Sequence, residues 1–166
     1  MMGEKIRKGL LYLEWTLAGV FLSVMTSCVF LEVLARYVLH LSLSWPEEVA
    51  RFSFIWVSLL GASIAMERKK LHEIDIVFEY FPIIARPFIA FVVNLFVIGI
   101  LSVFVFYGTK LTALVHLQVS PAMEIRMSYV YSAIPFTSGL MLISQAFNTI
   151  ETFFQLPFFR RGEKKA

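Results

Sequence analysis

Apolar residues gather into four long runs separated by short polar stretches, a pattern that predicts an all-α membrane protein with four transmembrane helices. The expected spans are residues 10–39, 45–66, 83–110 and 129–154. A shorter segment, residues 71–82, is too charged to cross a bilayer. Within it Ile74, Val77, Phe78 and Phe81 repeat at i, i+3, i+4, i+7 while His72, Asp75 and Glu79 fall on the opposite face. This predicts an interfacial amphipathic helix between the second and third spans. Its polar face is acidic, so docking against protein is as good a reading as docking on lipid headgroups.

The first run makes roughly 45 Å of helix against a hydrocarbon core of about 30 Å, so it must tilt or protrude. Near its end Glu32 and Arg36 stand four apart with the acid first, the favoured order for a helical ion pair. The pair reads equally well as an interfacial helix end and as a subunit contact. The second run opens on Trp45-Pro46-Glu47-Glu48, with Ser44 as N-cap, Pro46 in the first turn and both acids complementing the helix dipole. Trp45 suits an aromatic belt at the membrane surface, and Glu47 and Arg51 repeat the i,i+4 pairing.

Further along this span, Ser58/Ala62 and Gly61/Ala65 place small residues at helical spacing, which lets another helix approach closely. Spacing leaves the partner open; a helix of the same chain is the commoner case. The span closes on Glu67-Arg68-Lys69-Lys70. Asn94 in the third span is expected to hydrogen-bond a neighbouring helix. Residues 112–128, with His116, Gln118, Pro121, Glu124 and Arg126, read as a partly helical surface loop. Pro135, Gly139, Gln145 and Asn148 predict that the fourth span bends or packs closely.

Composition sharpens this reading. Of 166 residues, 58% are hydrophobic and 16% charged, against about 25% charged in soluble domains. A single integral membrane domain over residues 1–166 follows, with no room for a separate soluble core. The formal charge of +3 comes from basic residues at the chain ends and beside apolar runs, which excludes a nucleic-acid interface. Cys28 is the lone cysteine, so neither an intramolecular disulfide nor a multi-cysteine metal site can form. Lys5, Arg7 and Lys8 before an apolar run resemble a secretory signal, but the run is too long, and Val24-Met25-Thr26-Ser27-Cys28 is a poor lipoprotein signal. An uncleaved anchor helix is expected.

Counting Lys and Arg gives the orientation. Lys5, Arg7, Lys8, Arg68, Lys69, Lys70, Arg86, Arg160, Arg161, Lys164 and Lys165 share one side, against Lys110, Arg126, Arg36 and Arg51 on the other. Both termini are therefore expected in the cytoplasm, with Trp45 outside.

No catalytic constellation emerges. His40 and His116 fall in outer loops and His72 in an inner one, so facing intramembrane histidines for a bis-His haem are missing. No phosphate-binding loop, metal-ligand spacing or nucleophile elbow is present. Glu47 and Glu48 are adjacent, about 100° apart on a helix, which suits capping better than paired acid–base work. Neither catalytic residues nor a cofactor nor a metal is expected, and the protein reads as a non-enzyme. The halves show no repeat of the kind expected in an autonomous transporter, so a scaffold fits better. A self-contained four-helix exporter or a small signalling membrane protein is the alternative.

Arg36-Tyr37, Trp45-x-Glu47-Glu48, Arg51, Phe54-x-Trp56, Gly61-Ala62, Ala65-x-x-Arg68 and His72-x-x-x-Asp75-x-x-Phe78 together resemble the small membrane subunit of tripartite ATP-independent periplasmic (TRAP) transporters. The motif covers about 40 residues; the second half resembles the family only in hydropathy. The resemblance implies a bacterial inner-membrane protein that binds a large multi-helix membrane subunit and, with it, a periplasmic substrate-binding protein. Transport in that family is sodium-driven, with substrates such as sialic acids or C4-dicarboxylates, and the large subunit holds the sodium and substrate sites. On that reading Glu32, Arg36, Trp45, Glu47, Glu48, Arg51, Trp56, Ser58, Gly61, Ala62 and Ala65 are candidates for subunit or helix contacts. Arg68, Lys69, Lys70, His72, Asp75, Phe78 and Phe81 are candidates for anchoring the inner surface among membrane lipids.

Overall fold

The computed structural model describes residues 2–69 and 86–154, with side chains over residues 7–67 and 88–150. Its long elements are α1 (Met2–Tyr37), α2 (Trp45–Lys69), α3 (Arg86–Leu114) and α5 (Ala133–Phe154). A 3₁₀ turn (Val115–Leu117) and the short α4 (Met127–Tyr131) lie between α3 and α5. Among the described residues four helical stretches are long and apolar enough to cross a membrane, α4 and α5 together making the fourth. The amphipathic helix expected over residues 71–82 lies outside the described residues.

The break between α4 and α5 has a local cause. Pro135 has no N–H to donate to Tyr131, and its ring would crowd that carbonyl in a continuous helix. Ser132 interrupts the helix at this point, while Ser132 N–H still reaches Ser128 O at 2.9 Å and Phe136 N–H reaches Ser132 O at 3.1 Å. The predicted bend of the fourth span is thus a one-residue interruption, not a loss of the span.

Helix packing follows a seven-residue rhythm. On α1 the shielded positions include Arg7, Glu14, Phe21, Cys28 and Ala35; on α2 they include Pro46, Ser53, Leu60 and Glu67; on α3 and the 3₁₀ turn after it, Asn94, Leu101, Gly108 and Val115. A 3.5-residue period keeps one seam of a helix against its neighbour, as in knobs-into-holes packing. α1 and α2 pair antiparallel along such a seam, with rungs at Arg7–Glu67, Glu14–Ser63 and Phe21–Trp56. α3 pairs antiparallel with α5 through Asn94–Gln145, and the 3₁₀ turn after α3 meets α4 through His116–Ser128.

The two hairpins meet chiefly through α2 and α5, so the spans lie in the order first, second, fourth, third. Trp56 is the aromatic hinge of this junction. Its ring stacks on Phe21 at 5.1 Å between centroids and meets Phe136 at 5.8 Å, linking α1, α2 and α5. Such contacts each contribute about 0.5–1.5 kcal/mol beyond area burial.

α3 and α5 approach closely at Gly108. A side chain there would meet Ile134 Cγ2 at 3.0 Å, Pro135 Cδ at 3.1 Å and Pro135 N at 3.2 Å, whereas one at Gly99 would meet nothing within 4 Å. Gly108→Leu is therefore expected to destabilise the fold by about 1–3 kcal/mol through overpacking. Gly99→Leu should be close to neutral. Thermal unfolding of both variants in the same detergent checks this, and equal melting temperatures would refute the close approach.

Candidate functional site

The adjacent glutamates at the start of α2 do different work. Glu48 is 8% exposed and accepts three hydrogen bonds from one loop: Ser120 Oγ–H at 2.8 Å, Ala122 N–H at 3.0 Å and Met123 N–H at 3.1 Å. Glu47 faces outward and pairs with Arg51 at 2.5 Å, both side chains more than half exposed. The angle of about 100° between neighbouring helical residues produces this split. One carboxylate is spent within the chain and the other stays on the surface.

The loop is shaped to meet Glu48. Val119 and Arg126 form an antiparallel bridge, Ser120 N–H donates to Ile125 O at 2.9 Å, and Glu124 N–H donates to Ser120 O at 3.1 Å. Glu124 takes a positive φ of 53° that reverses the chain. The turn leaves the N–H groups of Ala122 and Met123 directed at α2, where an ionised acceptor makes stronger bonds than a neutral one. Residues 112–128 are more ordered than a surface loop: α3 continues to Leu114, a 3₁₀ turn follows, and the bridge closes the loop.

A second polar chain flanks it. Arg126 Nη1 lies 3.1 Å from His116 Nε2, and His116 Nδ1 lies 3.2 Å from Ser128 Oγ. Arginine can only donate, so Nε2 must accept, and the proton of a neutral imidazole sits on Nδ1 and points to Ser128. At the same end of the molecule Arg36 reaches Glu32 at 2.6 Å. The spacing at residues 32–36 and 47–51 was enough to find these two pairs.

The opposite end carries polar residues that hydropathy passes over. Glu14, 3% exposed within an otherwise apolar stretch, accepts Ser63 Oγ–H at 2.7 Å, and Arg7 Nε meets Glu67 at 3.0 Å. A polar side chain inside a span faces protein, not lipid. The signal available in the sequence was the seven-residue interval from Arg7 to Glu14, two helical turns on one face, with Ser63 and Glu67 one turn apart on α2.

The small residues of α2 lie elsewhere. Ser58, Gly61, Ala62 and Ala65 are exposed, and a side chain at Gly61 would meet nothing within 4 Å. The intrachain seam instead uses Ser53, Leu60, Ser63 and Ile64. Of the expected contact residues, Trp56 serves the intrachain aromatic junction and Trp45 is 43% exposed at the helix start. Arg68 and Lys69 form the backbone of the last turn of α2; Lys70, His72, Asp75, Phe78 and Phe81 lie outside the described residues. Among the described residues no group of three His, Cys, Asp or Glu side chains could hold a metal ion.

Four spans in a row, tied by buried polar rungs and capped by a clamped loop, define a multi-pass helical membrane protein. Residues 25–155 match the family described as tripartite ATP-independent periplasmic transporters, DctQ component, and the chain belongs to that family, as a TRAP transporter small permease subunit. It is 26% identical over 129 residues to the sialic acid TRAP transporter permease protein SiaT of Haemophilus influenzae, covering 78% of this chain and 21% of the relative. It is 28% identical over 101 residues to the isethionate TRAP transporter permease protein DctMQ of Oleidesulfovibrio alaskensis, covering 60% and 16%. A protein of Haemophilus influenzae named as a TRAP transporter small permease protein is 29% identical over 113 residues, 68% of each chain. The matched part of the chain thus spans 21% and 16% of the length of the first two relatives. The family is one of transporters, not of enzymes.

Removing the Glu48 carboxylate should release the loop. Glu48→Ala is expected to accelerate amide exchange at Ala122 and Met123 most strongly, whereas Glu47→Ala leaves both protected. Hydrogen-exchange mass spectrometry of the two variants reads the difference, and equal protection would refute the clamp.

Proposed function

We propose that this chain is the fixed scaffold subunit of a sodium-driven TRAP transporter for a carboxylate, working in a bacterial inner membrane with a large membrane subunit and a periplasmic substrate-binding protein. Both termini lie in the cytoplasm, as the distribution of Lys and Arg supports. The family membership carries the transport role. The names of the relatives, one for sialic acid and one for isethionate, support a small organic anion as cargo.

The observation that carries the scaffold role is the outward small-residue face of α2. Ser58, Gly61, Ala62 and Ala65 leave it smooth, and none of the described residues covers it. Close approach of another helix, through packing and hydrogen bonding, drives association in lipid, where apolar contact alone gains little. The large subunit is its partner in this reading. At the outer end the exposed Glu47–Arg51 pair and Trp45 meet the binding protein, while Glu48 acts indirectly by holding the loop. Glu32 and Arg36 brace the same end, and residues 68–81 anchor the inner surface.

Two measurements test this. Gly61→Leu should reduce co-purification with the large subunit while leaving the melting temperature of the isolated chain unchanged, because a side chain there meets nothing within 4 Å among the described residues. An undiminished complex would remove the seam. In proteoliposomes holding the large subunit and the binding protein, carboxylate uptake down a sodium gradient should require this chain, and Glu47→Lys should slow it. Solute movement by the purified chain alone would favour a self-contained exporter.

A further inference from the structure

Between Phe88 and Leu117 the chain holds one formally charged residue, Lys110. The continuation of α3 to Leu114 sets it inside the span instead of at its end. Its depth follows from the packing. Trp56 stands eleven residues from each end of its span, Trp45–Glu67, and so marks the middle of the bilayer. Phe136 meets Trp56 at 5.8 Å, Pro135 lies against Gly108, and Lys110 follows Gly108 by two residues, about 3 Å of helix rise. The hydrocarbon reaches about 15 Å to either side of its middle and an extended lysine side chain covers about 6 Å, so snorkelling does not bring this ammonium to the headgroups.

The charge is not cancelled by the residues around it. Gly108 faces α5; two residues further, about 200° around the helix, Lys110 points away from that seam and is exposed. It enters no ion pair among the described residues. Its ammonium lies 4.3 Å over the Phe106 ring and 5.8 Å from that of Tyr107, and the two rings meet edge to face at 5.4 Å. Both rings precede Lys110 on α3, so the side chain folds toward the middle of the span, not toward the nearer surface. Ring faces attract a cation but carry no net charge to cancel it. Charged side chains within spans pair with one another or face water, and a lysine bare at this depth is half of a pair.

We propose that Lys110 pairs with a carboxylate on a membrane span of the large subunit, an inference that rests on the scaffold role proposed above. A lipid phosphate is tied to the headgroup layer, so the counter-charge is one that another span carries to this depth. Aspartate and glutamate are the side chains that supply it. The Phe106 and Tyr107 rings hold the ammonium at that level before the partner arrives. The contact is a crossing at one level of α3: Phe88 and Phe96, about four turns or more toward the other end, remain with lipid. It adds a second point of attachment to the small-residue face of α2.

Co-purification of the full chain with the large subunit, read beside thermal unfolding of the chain alone, tests the pair. Lys110→Leu should lower the large subunit retained by about tenfold or more, one charge-assisted hydrogen bond being worth at least that factor. Lys110→Arg, which keeps the charge, should retain most of it. In the isolated chain Lys110→Leu should leave the melting temperature no lower, since it removes a charge that has no partner there. An undiminished complex in Lys110→Leu, with the native chain still retaining the large subunit, would overturn the pair and leave the scaffold role standing. A native chain that retains no large subunit would remove that role and the pair with it. A fall in the melting temperature of the isolated Lys110→Leu chain would also overturn it, assigning Lys110 to the chain's own fold.

Discussion

Lipid offers little reward for apolar contact between helices, and the whole arrangement depends on this constraint. A leucine against a leucine is no better placed than a leucine against an acyl chain, so the seams must be held by polar pairs and close shape. The chain meets this with rungs spaced along each hairpin: Arg7–Glu67, Glu14–Ser63 and Phe21–Trp56 between α1 and α2, and Asn94–Gln145 with Gly108 against Pro135 between α3 and α5. Each rung also fixes register. A helix slipped by one residue would leave Glu14 or Asn94 without a partner in a medium that provides none.

Much of this was legible in the sequence, and the reasons for the rest are physical. Hydropathy found the spans because an α-helix is the chain's own way of satisfying its backbone in lipid. Local spacing found Glu32–Arg36 and Glu47–Arg51, since both partners lie on one helix. Asn94 announced that it needed a bond but not with which residue; Gln145 was visible only once α3 and α5 were laid together. Glu14 was passed over because its partner Ser63 lies 49 residues away and looks like any small residue. Pro135 foretold a bend, while the tight fit of Gly108 beneath it depends on a contact between helices that no local pattern encodes.

The start of α2 shows how two like residues come to be unlike. Sequence places Glu47 and Glu48 together as dipole-complementing acids. The helical turn then sends one toward Arg51 and the surface and the other beneath residues 120–123. A substitution at Glu48 therefore perturbs a surface some seventy residues distant along the chain, whereas one at Glu47 acts where it stands. Any loss of function from Glu48 alone would be ambiguous between docking and loop collapse, which is why the surface reading is carried by Glu47.

The uncovered faces of the row differ in texture, and the difference bears on assembly. α3 presents Phe88, Phe96, Phe104 and Phe106, all more than half exposed, a rough surface that disordered acyl chains can fill. α2 presents Ser58, Gly61, Ala62 and Ala65, which give lipid little to fill around but let a second backbone come near. The intrachain seam of α2 is also partly small, with Ser53 and Ser63, yet each of those serines is buried. One helix thus has a small-residue seam already closed within the chain and another that none of the described residues covers. In the proposed assembly that makes α2 the element shared between the two subunits, with its direction and height set by Trp56 and the Glu48 clamp before any partner arrives.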